Sequence, residues 1–192
     1  MPPKAKFTRE EVIEAALKIV MREGIENLTA RALAGELGSS ARPVFTVFSG
    51  MDEVQCEVQK AARALYNKMV EQGLKENLAF KGVGKAYIRF AIEYPKLFQM
   101  LFMREKSTVP ELNSVLGMID ENYGKILQSI ESGYGLDIET AKEIYRHLWI
   151  YSHGIAVLLA TNVCSFTADE ISCMLTDVFS GVIRKYKSEG IK

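Results

Sequence analysis

The stretch from Thr29 to Phe48, TARALAGELGSSARPVFTVF, constrains this chain more than any other. Ala34 puts a small side chain where two helices would cross closely. Gly38 suits a sharp turn with positive φ, which glycine adopts without a Cβ penalty. Val44 supplies an apolar anchor for a second helix, and Leu33, Leu37 and Phe48 complete an apolar underside. The opposite face carries Arg31, Ser39, Ser40, Arg42 and Thr46, side chains able to meet phosphates or base edges. This spacing predicts a helix-turn-helix, a supporting helix followed by a DNA-reading one. Pro43 lacks an N–H donor, so it fits best in a first helical turn, with Ser39 or Ser40 as the N-cap.

Around this motif the chain reads as all-α. Residues 1–7 form an arm carrying Lys4 and Lys6. Thr8 opens a helix with Glu11 in a capping box, Ile13, Ala16, Leu17 and Val20 make its buried face, and Gly24 ends it. Asp52-Glu53 begin a helix through Leu74, the acidic pair suiting its N-terminus. Lys81-Gly-Val-Gly reads as a loop before a helix through Ile92, and Tyr94-Pro95 starts a short apolar one. Thr108-Val-Pro-Glu111 reads as a capping box opening a helix to about Glu131, and Gly133-Tyr-Gly135 as a turn. Asp137 caps a helix to about Thr161, and Thr167 with Glu170 caps a last one to about Glu189. The expected domains are a helix-turn-helix head over 1–50 and a helical ligand-binding and dimerisation domain over 51–192. The helix from about 52 links the two.

The last two helices differ from the others. Ile171, Leu175, Val178 and Val182 alternate spacings of four and three, the seam of a helix packed along a partner. The preceding helix is apolar on nearly every side between Ile144 and Ala160, including Ile155 and Leu159. Two readings follow: an ordinary bundle interior, or a homodimer face built from two helices of each subunit. Charge speaks against broad electrostatic binding. Basic and acidic residues number 24 each, and Met1 to Gly50 holds seven basic against six acidic. Any contact with double-stranded DNA must therefore rest on a small, well-aimed patch doubled by dimerisation.

The pattern Ile13-x-x-Ala-Leu, Gly24, Leu28-Thr29, Arg31-x-Leu33-Ala34 and Gly38-x-Ser40, followed by Phe48 and Met51-Asp-Glu-Val54, resembles the tetracycline-repressor (TetR) family of bacterial transcriptional regulators. The resemblance spans about Phe7 to Glu57. LFQMLFM after Tyr94-Pro95, and Trp149-x-x-x-His153-Gly154, resemble weaker signatures of some C-terminal domains of that family. It implies an all-α homodimer with a small DNA-binding head and a larger effector domain, and it favours the dimer-face reading. It also implies that Thr29 and Arg31 hold phosphates while Arg42, Pro43, Phe45 and Thr46 face DNA. Arg42 suits base readout, because a guanidinium can grip the O6 and N7 of guanine together. The chain departs from the pattern at Phe45 (commonly Tyr), Met51 (commonly Lys) and Gly35 (commonly basic). Each departure removes or weakens a phosphate contact.

No catalytic constellation, nucleotide loop or cofactor motif is present, and no metal or cofactor is expected. Glu143 and His147 share a helix face as a surface pair, whereas His153 points elsewhere. Cys56, Cys164 and Cys173 lie far apart, which suits a reducing cytoplasm. The run Leu148 to Val163 is too short and interrupted to span a bilayer, so no membrane partner is expected. Among the Phe, Tyr and Met residues of the C-terminal half, Phe98, Phe102, Met103, Met118, Tyr123 and Tyr151 are candidates to line an apolar effector pocket. The expected function is a regulator released from operator DNA by a small, mostly apolar effector. The competing reading is a helical interaction or ligand-sensing protein whose head no longer reads DNA.

Overall fold

Thr8 and Glu11 open the first helix reciprocally. The Glu11 N–H donates to the Thr8 hydroxyl oxygen at 3.2 Å, and the Thr8 N–H donates to the Glu11 carboxylate at 2.8 Å. The computed structural model describes residues 6–105, 109 and 111–189. Lys4, Thr108 and Pro110 lie outside them, and with them the expected capping box at Thr108. Among the described residues there are nine α-helices and no strand. They run α1 (Arg9–Glu23), α2 (Ala30–Glu36), α3 (Met51–Gly73), α4 (Ala79–Glu93), α5 (Pro95–Phe102), α6 (Leu112–Ile119), α7 (Tyr123–Tyr134), α8 (Ile138–Ala160) and α9 (Ala168–Glu189).

The chain divides into two compact units: Met1–Leu65 with Tyr94–Arg104, and Tyr66–Glu93 with Glu105–Lys192. The division falls inside α3, later than the boundary expected near residue 50, and α5 returns to the first unit.

In the first unit, α1 buries Val12, Ala15, Ala16, Ile19 and Val20. The face is thus rotated from the expected one, and Ile13 and Leu17 are only half-buried. The paired small residues Ala15 and Ala16 allow close approach of neighbouring helices, and α1 packs against both α2 and α5. Gly24 ends α1 at φ 92°, its N–H donating to the Val20 carbonyl. Helix α2 closes on Gly38 at φ 58°. There the Ser39 N–H donates to the Ala34 carbonyl and the Gly38 N–H to that of Gly35, the paired bonds of a Schellman motif.

The expected second helix of the motif, starting at Ser39–Ser40, is a correction: only a single 3-10 turn forms, Val44–Thr46. Its bonds run from the Thr46 N–H to the Pro43 carbonyl and from the Val47 N–H to the Val44 carbonyl. Pro43 contributes no donor, and Val44, Thr46 and Val47 are β-branched, so a segment this short cannot offset the cost of nucleating an α-helix. Of its expected apolar underside, Leu33, Val44 and Phe48 are buried and Leu37 is half-buried.

In the second unit, α4 packs along α8, and Ile88, Ile155, Ile171 and Leu175 form a cluster covered by Tyr151, Leu159, Phe166 and Met174. Lys81–Gly84, expected as a loop, lies within α4. Its glycine serves close packing: a Cβ on Gly82 would stand 2.2 Å from the Gly73 carbonyl oxygen, and one on Gly73 would meet the Gly82 backbone at 2.6 Å. The helix expected to run unbroken to Glu131 is split into α6 and α7. Asp120 takes extended backbone between them, its carboxylate accepting from the Asn122 N–H and from the Tyr66 hydroxyl, each at 2.9 Å. This local side-chain bonding competes with helix continuation. Gly133 is helical, and Gly135 alone makes the turn at φ 66°. Asp137 and the Thr167–Glu170 pair cap α8 and α9 as expected.

Gly82→Ala and Gly133→Ala should therefore move stability in opposite directions. The first forces backbone apart and should cost about 1–3 kcal/mol. The second meets nothing within 4 Å and should gain about 0.5–1 kcal/mol from helix propensity. Thermal unfolding followed by circular dichroism distinguishes them.

Candidate functional site

The helix-turn-helix surface is organised by Arg9. Its guanidinium lies over the Phe48 ring at 4.2 Å, donates to the Val47 carbonyl at 2.7 Å and pairs with Glu53 at 2.7 Å. Glu53 in turn accepts from the Ser49 N–H at 2.7 Å and the Ser49 hydroxyl at 2.8 Å. The Ser49 N–H, then Arg9 and the Ser49 hydroxyl, hold the Glu53 carboxyl down to about 2. These contacts fix the end of the recognition turn to α1 and to the start of α3.

On the outer surface the expected residues fall into distinct states. Thr29 caps α2 by accepting from the Ala32 N–H at 3.1 Å, which leaves its hydroxyl proton unspent there. Thr46 does the reverse, donating its proton to the Pro43 carbonyl at 2.6 Å, so it offers lone pairs and a methyl. Ser39 accepts from the Lys6 ammonium at 2.9 Å, which lays the end of the N-terminal arm on the turn. Ser40 and Phe45 are exposed and Pro43 is half-buried. Arg31 and Arg42 are exposed, and neither has an ion pair among the described residues. The one acidic residue between Asn27 and Gly50, Glu36, is already paired with Arg22 at 3.3 Å. The surface is therefore locally cationic within a neutral chain.

The second unit contains a cavity of about 290 Å³. Its wall is aromatic: Tyr66, Phe80, Tyr87, Tyr134, Tyr145, Trp149 and Phe179, with the small residues Gly84 and Ser152 between them. Phe80 packs on Phe179 at 5.9 Å and Tyr134 on Phe179 at 4.9 Å. Tyr87 shares a 2.8 Å hydrogen bond with His153 Nδ1, and His153 stacks on Trp149 at 4.9 Å. Burial keeps the phenols of Tyr66 and Tyr145 protonated and shifts His153 toward its neutral form. Lys81 is the one charged residue of the lining among the described residues; it donates to the Thr176 hydroxyl oxygen at 2.9 Å.

None of the six residues expected to line a pocket lines this cavity. Phe98 is buried and packs on Phe102 at 5.1 Å in the first unit, with Arg63 over the Phe102 ring. Met103 and Met118 are exposed, Tyr123 packs edge-on to Tyr145 at 5.3 Å, and Tyr151 covers the Ile88 cluster. Large apolar side chains fill a core as readily as they wall a hollow. The missed signal is aromatic residues sharing helix faces with small ones: Phe80, Gly84 and Tyr87 on α4, and Tyr145, Trp149 and Ser152 on α8.

The expected seam also turns inward. Ile155, Ile171 and Leu175 are buried in this chain's own core, Leu159 packs on them, and Val178 and Val182 are half-buried. A four-three spacing marks a covered face without saying what covers it. The large apolar residues that α8 leaves outside are Ile138 at its first turn, 39 % exposed, and farther along Ile150, 49 % exposed, and Leu158, 36 % exposed, with exposed Gly154 between the last two. Glu143 pairs with Arg146, not His147, and His147 is exposed. Among the described residues no group of three His, Cys, Asp or Glu could hold a metal, and no helix is long and apolar enough to cross a membrane.

Residues 80–178 match the family model described as tetracyclin repressor-like, C-terminal domain. The chain is 25 % identical over 165 residues to the uncharacterized HTH-type transcriptional regulator YobS of Bacillus subtilis, covering 83 % of each chain. It is 26 % identical over 170 residues to the uncharacterized HTH-type transcriptional regulator Rv0681 of Mycobacterium tuberculosis, covering 83 % of this chain and 73 % of that one.

The Glu53 network sets a pH dependence. A carboxyl held below its ordinary value stabilises the fold fully above that value and loses its contribution as pH falls through the lowered one. Glu53→Gln should therefore lower the melting temperature near neutral pH. The gap to the parent protein should close as pH falls from about 4.5 toward about 2. Paired thermal melts across that range measure it; a constant gap would show that the network contributes no titrating stability.

Proposed function

The chain belongs to the tetracycline-repressor family of helix-turn-helix transcriptional regulators, and on that premise we propose that it is a homodimeric repressor whose heads bind operator DNA and are released by a small ligand. The observation that carries the DNA-binding reading is the pair of exposed arginines, Arg31 and Arg42, without ion pairs among the described residues on a motif whose single acid is already paired. Unpaired guanidiniums lose no intramolecular partner on meeting a phosphate or a guanine edge. In this reading Thr29 and Arg31 hold phosphates, Arg42 reads bases, and Ser39, Ser40, Pro43, Phe45 and Thr46 complete the surface. Nothing in it calls for enzymatic chemistry.

The cavity of the second unit is the ligand chamber in this reading. Its size and aromatic wall suit a small, mostly apolar effector. The dimer face is the outward stripe Ile150, Gly154 and Leu158 of α8, with Val178 and Val182 of α9 at its margin. Two heads reading successive major grooves must lie roughly 34–36 Å apart, so a ligand that changes their spacing lowers affinity. Three exposed free cysteines suit a reducing cytoplasm. The second reading, a sensor whose head no longer reads DNA, is favoured by Phe45, Gly35 and Met51, where phosphate-contacting groups are lacking.

Gel-shift titration against DNA from the gene's own promoter region, at two salt concentrations, separates the two. Specific shifts weakened by Arg42→Ala by about 1–3 kcal/mol support the repressor. Absence of binding at low salt by the unliganded protein supports the sensor. Leu158→Glu should convert the dimer to monomer in sedimentation experiments while leaving helix content intact, since a charge in that stripe would be desolvated on association.

A further inference from the structure

Resting on the reading of the cavity as a ligand chamber, we infer that its occupant is a weak organic acid: an apolar, aromatic-sized body ending in one carboxylate. The polar groups of the wall are distributed unequally. Among the described residues Lys81 is the only charged side chain in the lining, and no carboxylate pairs with it. Its partner, the Thr176 hydroxyl, has spent its own proton on the Ser172 carbonyl at 2.6 Å, so it can only accept from the ammonium. Two ammonium protons therefore remain for a ligand anion. Lys81 is half-buried, and Thr176 and Leu78 are exposed, which puts this end at the mouth.

The other end offers an anion less. Tyr66 lines the cavity, and its hydroxyl proton is already donated to the buried carboxylate of Asp120 at 2.9 Å. The acid group therefore belongs at Lys81 and the apolar body among Phe80, Tyr145 and Phe179. Trp149 adds a neutral donor, for its buried Nε1–H has no acceptor among the described residues. An aromatic box of this kind would otherwise suit a quaternary or primary ammonium through cation–π attraction. The lysine at its mouth opposes that class, and a charge-assisted hydrogen bond at a partly desolvated site favours the acid.

Trp149 is the only tryptophan of the chain, so its fluorescence reports on the cavity directly. The full-length protein is titrated near neutral pH with three probes of one shape: phenylbutyrate, phenylbutyramide and phenylbutylammonium. The expected order is carboxylate, then amide, then ammonium, with carboxylate over amide by about tenfold. Lys81→Met should bring carboxylate and amide within roughly twofold of each other, whereas Lys81→Arg should keep the preference. Equal binding of carboxylate and amide, or tightest binding of the ammonium, would overturn the acid and leave the chamber standing. Failure of all three probes to perturb Trp149 up to millimolar concentration would overturn the chamber and the acid together.

Discussion

Arg9 ties the recognition turn of the first unit to the helices on either side of it. One guanidinium covers the Phe48 ring, bonds the Val47 carbonyl and pairs with Glu53. Three segments distant in sequence are thereby joined: α1, the end of the recognition turn, and the first turn of α3. The turn needs this. Its internal hydrogen bonds close only short turns, and apart from Val44 and Phe48 no side chain from Ser39 to Ser49 is fully buried. A recognition element so weakly self-supporting takes its geometry from what clamps its two ends: Gly38 with its Schellman bonds on one side, Arg9 with Glu53 on the other.

In the second unit the corresponding constraint involves backbone. Where Gly73 and Gly82 meet, a methyl group on either would collide with the peptide of the other. This brings the end of α3 against the start of α4 and sets where Phe80 and Lys81 stand. Gly84 then leaves room beside them, its nearest non-local neighbours being Leu175 and Ser152 at 3.8 and 3.9 Å from a notional Cβ. The hollow is thus made by small residues placed among large ones. The aromatic residues supply its chemistry.

What could be read from the sequence follows from the range of each interaction. Caps act between residues three apart, so Thr8 with Glu11, Asp137, and Thr167 with Glu170 were all legible, as were the turn at Gly38 and the anchor at Val44. Interactions across long loops were not. Nothing local at Arg9 announces Glu53, and nothing near Asp120 announces Tyr66, whose hydroxyl helps hold the break between α6 and α7. Glycines misled for a related reason: Gly82 has the composition of a loop and the role of a close contact. Apolar spacing on α9 identified a covered face correctly, but Ile171 and Leu175 are covered by this chain itself. The pocket was the least legible, because aromatic content gives volume to be packed and no account of where space is left.

The contact of Gly73 with Gly82 has a mechanical corollary. Packed side chains can yield by changing rotamer, and so absorb a displacement before passing it on. Two peptide groups in direct contact have no such slack. A displacement of Phe80 or Lys81, one turn or less from Gly82, therefore meets the C-terminal end of α3 with no side chain between them to absorb it. The two glycines act as a stiff bearing, and their lack of side chains is what makes it stiff.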